Sequence, residues 1–222
     1  VDTVDTVDTG GLRAAVDSVR AHPDSLVLVG VAVLVFAFTL NFQVVLTLMA
    51  TGAYGLSADG LGLLATAMAA GSICGALLSA RRRTVPRSLV LGAATAVGTL
   101  WLVGAVVPVV YGFAAALFAT GLVTITFATS SNARLQLVTP PRMQGRVMAM
   151  YLAACSLGAP LTAPVIGWIS DTAGPRWAMV TGGCWILLAA GLGAVVLAFR
   201  RRAGAPVASP TPPVPDSERS SP

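Results

Sequence analysis

Lysine is absent from this chain, histidine occurs once, and no aspartate or glutamate falls inside its long apolar runs. The single histidine, His22, precedes the first of those runs. Intramembrane proteolysis would need a serine with a histidine beside it, phospholipid-synthesising chemistry would need clustered aspartates, and a proton relay would need an acid at depth. None of these sets can be assembled, so neither catalysis nor a cofactor is expected. Cysteine is scarce too: Cys74, Cys155 and Cys184 each lie within an apolar run, as small packing residues rather than disulfide partners or metal ligands. Only 10% of the 222 residues are charged and 55% are hydrophobic. A soluble core of that length could not bury so much apolar surface, which makes this an all-α membrane protein. The net charge of +5 comes without aromatic-interleaved basic patches, which argues against nucleic acid as a partner.

What is present is a series of runs near 20 residues long, the length that crosses a bilayer as a helix. Six are expected: Leu26 to Ala50, Gly60 to Ala80, Ser88 to Val107, Val109 to Ala133, Val147 to Ile169 and Trp177 to Phe199. All the basic side chains are arginines, and their positions alternate. Arg13 and Arg20 precede the first run, Arg81, Arg82, Arg83 and Arg87 follow the second, Arg134, Arg142 and Arg146 follow the fourth, and Arg200, Arg201 and Arg202 follow the sixth. The opposite connections carry only Arg176. The positive-inside rule then places both termini in the cytoplasm, with the bilayer as the chain's first partner. Residues 1–24 are expected to form a cytoplasmic linker, in which Leu12, Ala15, Val16 and Val19 suggest a short amphipathic helix. Residues 25–202 form the membrane domain, and residues 203–222 a disordered Pro/Ser tail. The chain opens on a triplicated Val-Asp-Thr without Met, so it is expected to begin inside something longer.

Inside the bilayer, small residues four apart let helix backbones approach closely. The second span carries Ala67, Gly71, Gly75 and Ser79 at that spacing, and the fifth carries Ala159, Ala163 and Gly167. These stripes pack either against neighbours in the same bundle or against another body. Pro160 and Pro164 interrupt the fifth span and can kink it, as a static bend or as a hinge near Gly158. Two sets of uncharged polar side chains remain as candidates to line a substrate path or to bond between helices. Thr39, Gln43 and Thr47 fall at i, i+4 and i+8 on the first span, with Asn41 on its other side. Thr129, Asn132 and Gln136 share a face near the cytoplasmic end of the fourth.

The stretch from Asn132 to Arg176 resembles the tenth-to-twelfth-helix region of major facilitator superfamily exporters, in particular the enterobactin-exporter-like and macrolide-efflux-like branch. The resemblance rests on Asn132 and Gln136, the Pro140-Pro141 turn, Gly145-Arg146-Val147 opening the next helix, and Gly158, Pro160, Gly167, Asp171, Gly174 and Arg176. The segment GGLRAAVDSVRAHP is similar to the family's central-loop helix before helix seven. The resemblance implies a half of a twelve-helix transporter, helices seven to twelve, built as two inverted three-helix repeats. It implies that the second and fifth spans face the other half, that the first and fourth line the central cavity with Gln43 and Asn132, and that Gly145, Arg146, Pro164 and the motif around Asp171 take part in gating. The loop SARRRTVPR keeps the family's arginines but lacks its acidic residue.

A transporter in the plasma membrane, of the bacterial inner-membrane kind, is therefore expected: proton-driven efflux of a drug-like or siderophore-like molecule by alternating access, together with an N-terminal half. Two other readings remain, a six-helix assembly subunit that transports nothing and a half-size transporter that pairs with a second copy.

Overall fold

Hydrocarbon offers no partner to a backbone N–H or C=O, so each apolar run must close its hydrogen bonds on itself as a helix. The computed structural model describes residues 23–82, 84–139 and 141–203, and among them it contains helices and no strand. In chain order these are α1 (Pro23–Thr39), α2 (Phe42–Leu48) continued by a π-helical turn (Met49–Ala53), α3 (Ala58–Ala80), α4 (Arg87–Val106) and α5 (Val110–Val138). A 3-10 turn (Pro141–Met143) leads into α6 (Gln144–Ala173), and α7 (Pro175–Ala203) follows. They make six candidate membrane spans, the first assembled from α1, α2 and the π turn. The amphipathic helix and the Pro/Ser tail expected at the two ends lie outside the described residues.

The helices outlast the apolar runs. α5 continues to Val138, so Arg134 and Gln136 stand on its last turns and not in a connector. α6 begins at Gln144 and runs to Ala173, taking Gly145, Arg146 and Asp171 onto its ends. Proline fits a first helical position, where its missing N–H has no helical acceptor anyway, and Pro23 and Pro175 open α1 and α7. Gly174, with φ of 98°, ends α6 immediately before Pro175 in a conformation that side chains rarely adopt.

The spans pack in a pattern that repeats. The first lies against the fifth and sixth, the fourth lies against the second and third, and the third and sixth lie against each other. Exchanging the first three spans with the last three leaves those pairings unchanged. Because each set crosses three times, the two sets run in opposite directions, which is an inverted pair of three-helix repeats. The core between them holds Trp101, Phe113, Leu117, Phe127, Met179 and Ile186, all fully buried.

Glycines set how close the helices come. A Cβ on Gly71 or Gly75 of α3 would meet the carbonyl oxygen of Phe118 or Leu122 on α5 at 1.9 and 2.3 Å. The small-residue stripe of the second span is thus filled by the chain's own fourth span, which selects the same-bundle alternative for it over a face left for another half. On α6 the close contact is one residue away from the expected stripe: a Cβ on Gly158 would meet the Ala37 Cβ at 2.6 Å. Ala159 and Ala163 are half-buried beside it, and a Cβ on Gly167 would meet nothing within 4 Å. Gly158→Ala is accordingly expected to cost about 1–3 kcal/mol by overpacking. Gly167→Ala should be neutral or stabilising by up to about 1 kcal/mol through helix propensity. Unfolding of the two purified variants in graded SDS measures the contrast, and equal midpoints would refute it.

Outward exposure is uneven. Of the central windows of the second and fifth spans only 17% and 11% are buried, against 39–50% in the other four. α3 turns Leu63, Ile73, Leu77 and Leu78 outward, and α6 turns Leu152, Leu157, Leu161, Val165 and Trp168 outward.

Candidate functional site

Midway through the bundle, a break in the first span meets the proline-bearing middle of α6. The first span loses its helical register at Leu40 and Asn41: the Asn41 N–H donates to the Phe38 carbonyl at 3.0 Å, and the carbonyl of Ala37 loses its usual backbone donor. In α6, Pro160 and Pro164 remove the N–H groups that would have met the carbonyls of Ser156 and Pro160. In the first span the missing partner of Ala37 is supplied by side chains at the crossing, as a backbone defect inside a membrane requires. Asn41 Nδ2 donates to the Ala159 carbonyl and to Thr162 Oγ1, both at 2.8 Å. The Thr162 hydroxyl, with one proton to give, donates back to the Ala37 carbonyl. Asn41 is 8% exposed, so the bonds lie in a dry environment.

This arrangement separates the residues that the first span was expected to align. Thr39 is buried and its hydroxyl donates to the Val35 carbonyl at 2.8 Å, closed on its own helix. Gln43 and Thr47 are exposed on α2, where Thr47 Oγ1 donates to the Gln43 carbonyl at 2.9 Å. The Thr39, Gln43, Thr47 stripe presupposes one continuous helix, and the break at Leu40 and Asn41 divides it. Asn41, placed by periodicity on the opposite side, is the residue that reaches another helix.

A second polar group lies at the arginine-rich end. Ser131 on α5 and Tyr151 on α6 line one small cavity of about 10 Å³ together with Arg134 and Leu28. The Tyr151 hydroxyl lies buried beside Ser131 Oγ and the Cys155 thiol without a well-aligned hydrogen bond, and the buried Asn132 Oδ1 has no partner among the described residues. One water in a cavity of that size would complete Ser131 and Tyr151. Arg134 donates to the Val85 carbonyl at 3.4 Å and so holds the α3–α4 connection to α5. Gln136 is exposed, and its backbone carbonyl accepts from Gln144 Nε2 at 3.1 Å, a bond that ties the end of α5 to the start of α6. Gly145 and Arg146 are exposed on the first turn of α6, and a Cβ on Gly145 would meet nothing within 4 Å.

At the opposite end, Arg176 gathers three connections. Its guanidinium donates to the Ala105 carbonyl at 3.2 Å and lies 5.8 Å from the centre of the Tyr54 ring, a cation–π distance. The Tyr54 hydroxyl in turn donates to the Val107 carbonyl at 2.7 Å. Burial pushes the Tyr54 phenol up, and the Arg176 charge draws it part of the way back. Asp171, three residues before Gly174, is exposed, and no ion pair joins it to Arg176 among the described residues. Tyr54→Phe is expected to lose about 1 kcal/mol for the hydrogen bond alone. Arg176→Ala should lose more by releasing Ala105 and the ring together, read as faster hydrogen exchange in residues 103–113. An unchanged exchange rate in Arg176→Ala would dismiss the clamp.

Asn132 stands near the arginine-rich end of its span and Gln43 past the middle of the first, separated along the bundle by roughly 15 Å at 1.5 Å per residue. The candidate path residues therefore mark two depths and not one pocket. No group of His, Cys, Asp and Glu able to hold a metal occurs among the described residues. The chemistry on offer is hydrogen bonding by neutral amides and hydroxyls, suited to binding and to repacking of helices. Sequence reasoning missed the pairing of Asn41 with Thr162, although an asparagine in one span and a threonine between two prolines in another were its available signals.

A family model described as Major Facilitator Superfamily matches residues 27–220. No curated protein and no solved structure matches the chain.

Proposed function

The chain belongs to the Major Facilitator Superfamily, and from that premise we propose that it forms the C-terminal six-helix half of a secondary transporter that works by alternating access. Members of this family are transporters and not enzymes, and six membrane-length helices make the protein multi-pass. The observation that carries the half-transporter reading is the matched exposure of the second and fifth spans. They occupy equivalent positions in the two repeats, and both leave apolar sides uncovered. An N-terminal six-helix half fits those sides, and a second copy of the chain would use the same ones. Arginine placement supports cytoplasmic termini, and this reading sets the protein in a plasma membrane of the bacterial inner-membrane kind.

Direction and driving force follow from the exporter resemblance. The cargo of this reading is a drug-like or siderophore-like small molecule moved outward in exchange for protons that enter down their gradient. Gln43 and Asn132 contact it, and Gly145, Arg146 and the Gly158 to Pro164 segment take part in the gate. With no acid deep in any of the six spans, proton coupling falls to the other half.

Cells expressing the intact gene are expected to accumulate severalfold less of one or more dyes, antibiotics or siderophores than cells without it. An uncoupler should abolish the difference. Accumulation that stays the same across a broad panel would end the exporter reading, and a difference insensitive to the uncoupler would remove the proton from it.

A further inference from the structure

Toward the arginine-rich end, α3 and α5 part from the tight contact made at Gly71 and Gly75. Between them lies a cleft of about 300 Å³, far larger than a water site. Its polar wall is formed by Arg82, Ser79, Thr129 and Ser130, and its apolar wall includes Ala76, Ala80 and Ala133. Ser130 is 4% exposed, and the Ser79 hydroxyl is buried with no partner. The Arg82 guanidinium is exposed and has no hydrogen-bond or ion-pair partner among the described residues. A cation and two serines border one space, and a guanidinium with hydroxyls is well suited to phosphate oxygens.

The apolar wall distinguishes among anions. Ala76 and Ala80 continue on α3 into the exposed Ile73 and Leu77, so that residues 73, 76, 77 and 80 form one stripe running from the cleft toward the bilayer centre. A free phosphate ion gains nothing from that stripe, whereas an acyl chain beneath a phosphate headgroup covers it. The depth also fits, because the cleft lies at the last turn of α3 and beside Ala133, near which the apolar run of α5 ends and headgroups meet hydrocarbon. We propose that this cleft is a binding site for the phosphate headgroup of an anionic phospholipid, with Arg82, Ser79 and Ser130 on the phosphate and the alanine-to-leucine stripe beneath an acyl chain. The site rests on the membrane reading of the chain and is independent of what is transported.

The test is native mass spectrometry of the full chain released from phosphatidylcholine nanodiscs that contain a minor fraction of phosphatidylglycerol. The wild type should retain phosphatidylglycerol severalfold more than Arg82→Gln, with Arg202→Gln, an exposed arginine at the same end, behaving as wild type. Ala133→Leu, which fills the cleft without touching a charge, should also lose the lipid. Unchanged tryptophan fluorescence and unfolding midpoints keep a folding defect from imitating the result. Equal retention by wild type and Arg82→Gln overturns the site. So does an equal loss in Arg202→Gln, which would mean general attraction of charge. Full retention by Ala133→Leu would show that the lipid sits elsewhere. Excess inorganic phosphate should leave the bound lipid in place, and its ready displacement by phosphate would overturn the lipid as occupant in favour of the free ion.

Discussion

Gly71→Leu is expected to remove folded protein from the membrane almost entirely. A Cβ at that position would stand 1.9 Å from the Phe118 carbonyl oxygen, with Gly75 at 2.3 Å from Leu122 O and Gly121 at 2.2 Å from Met68 O in the same interface. The obstructing atoms are backbone, so no rotamer change relieves them, and the two helices would have to separate along their length. Overpacking of this kind costs about 3 kcal/mol or more. Here it also undoes the main contact of α3, since that helix packs chiefly on α5. Gly62 is the control, because a Cβ there meets nothing within 4 Å and the residue is exposed. Fluorescence-detected size exclusion of tagged protein should give a normal peak for Gly62→Leu and aggregate or nothing for Gly71→Leu. Comparable peaks would mean that the close approach of α3 to α5 is not what holds the second span.

Asn41→Leu and Thr162→Val should each destabilise the bundle, and together by less than their sum. Thr162→Val takes the hydroxyl donor from the Ala37 carbonyl, and Asn41→Leu removes the amide bonds to Ala37, Ala159 and Thr162, in a place where water cannot substitute. Interhelical hydrogen bonds in membranes are worth about 0.6 kcal/mol on average and up to about 1.7. These two serve broken backbone as well as each other, which puts the expected loss at the upper end, near 2 kcal/mol for Asn41→Leu. Once one partner is gone the other has little left to lose, so a double-mutant cycle in graded SDS should return a coupling of about 1 kcal/mol. Strict additivity would show that the two residues are neighbours without being partners.

The six spans were legible because hydropathy accumulates over a bilayer's thickness, and local errors average out across twenty residues. Their ends were less so. Apolar character stops near Ala133, yet nothing forbids the backbone of α5 from continuing in water, and it does so until the Pro140-Pro141 pair. The break in the first span was invisible for a different reason. FTLNFQVV contains neither proline nor glycine, and the helix parts there because Asn41 and Thr162 together satisfy the broken backbone, a long-range fact that no local window contains. That single break moved Gln43 away from Thr39. The small-residue frame of α6 failed by one position for lack of contrast: where Ser156, Gly158, Ala159, Thr162 and Ala163 crowd one stretch, spacing alone supports several faces, and only the position of Ala37 selects Gly158.

The inverted pairing of the two repeats sets opposite demands on their equivalent corners. Rotating one repeat onto the other carries the α3–α4 connection, with Arg81, Arg82 and Arg87, onto the α6–α7 connection, with Asp171, Gly174 and Arg176. Those two corners perform the same geometric task on opposite sides of the bilayer, where the charge rule makes opposite demands. Descendants of a duplicated three-helix ancestor would be pushed apart fastest at their equivalent corners and held alike only where helices touch. The symmetry of the molecule therefore lies in which helices touch and not in the residues of its corners.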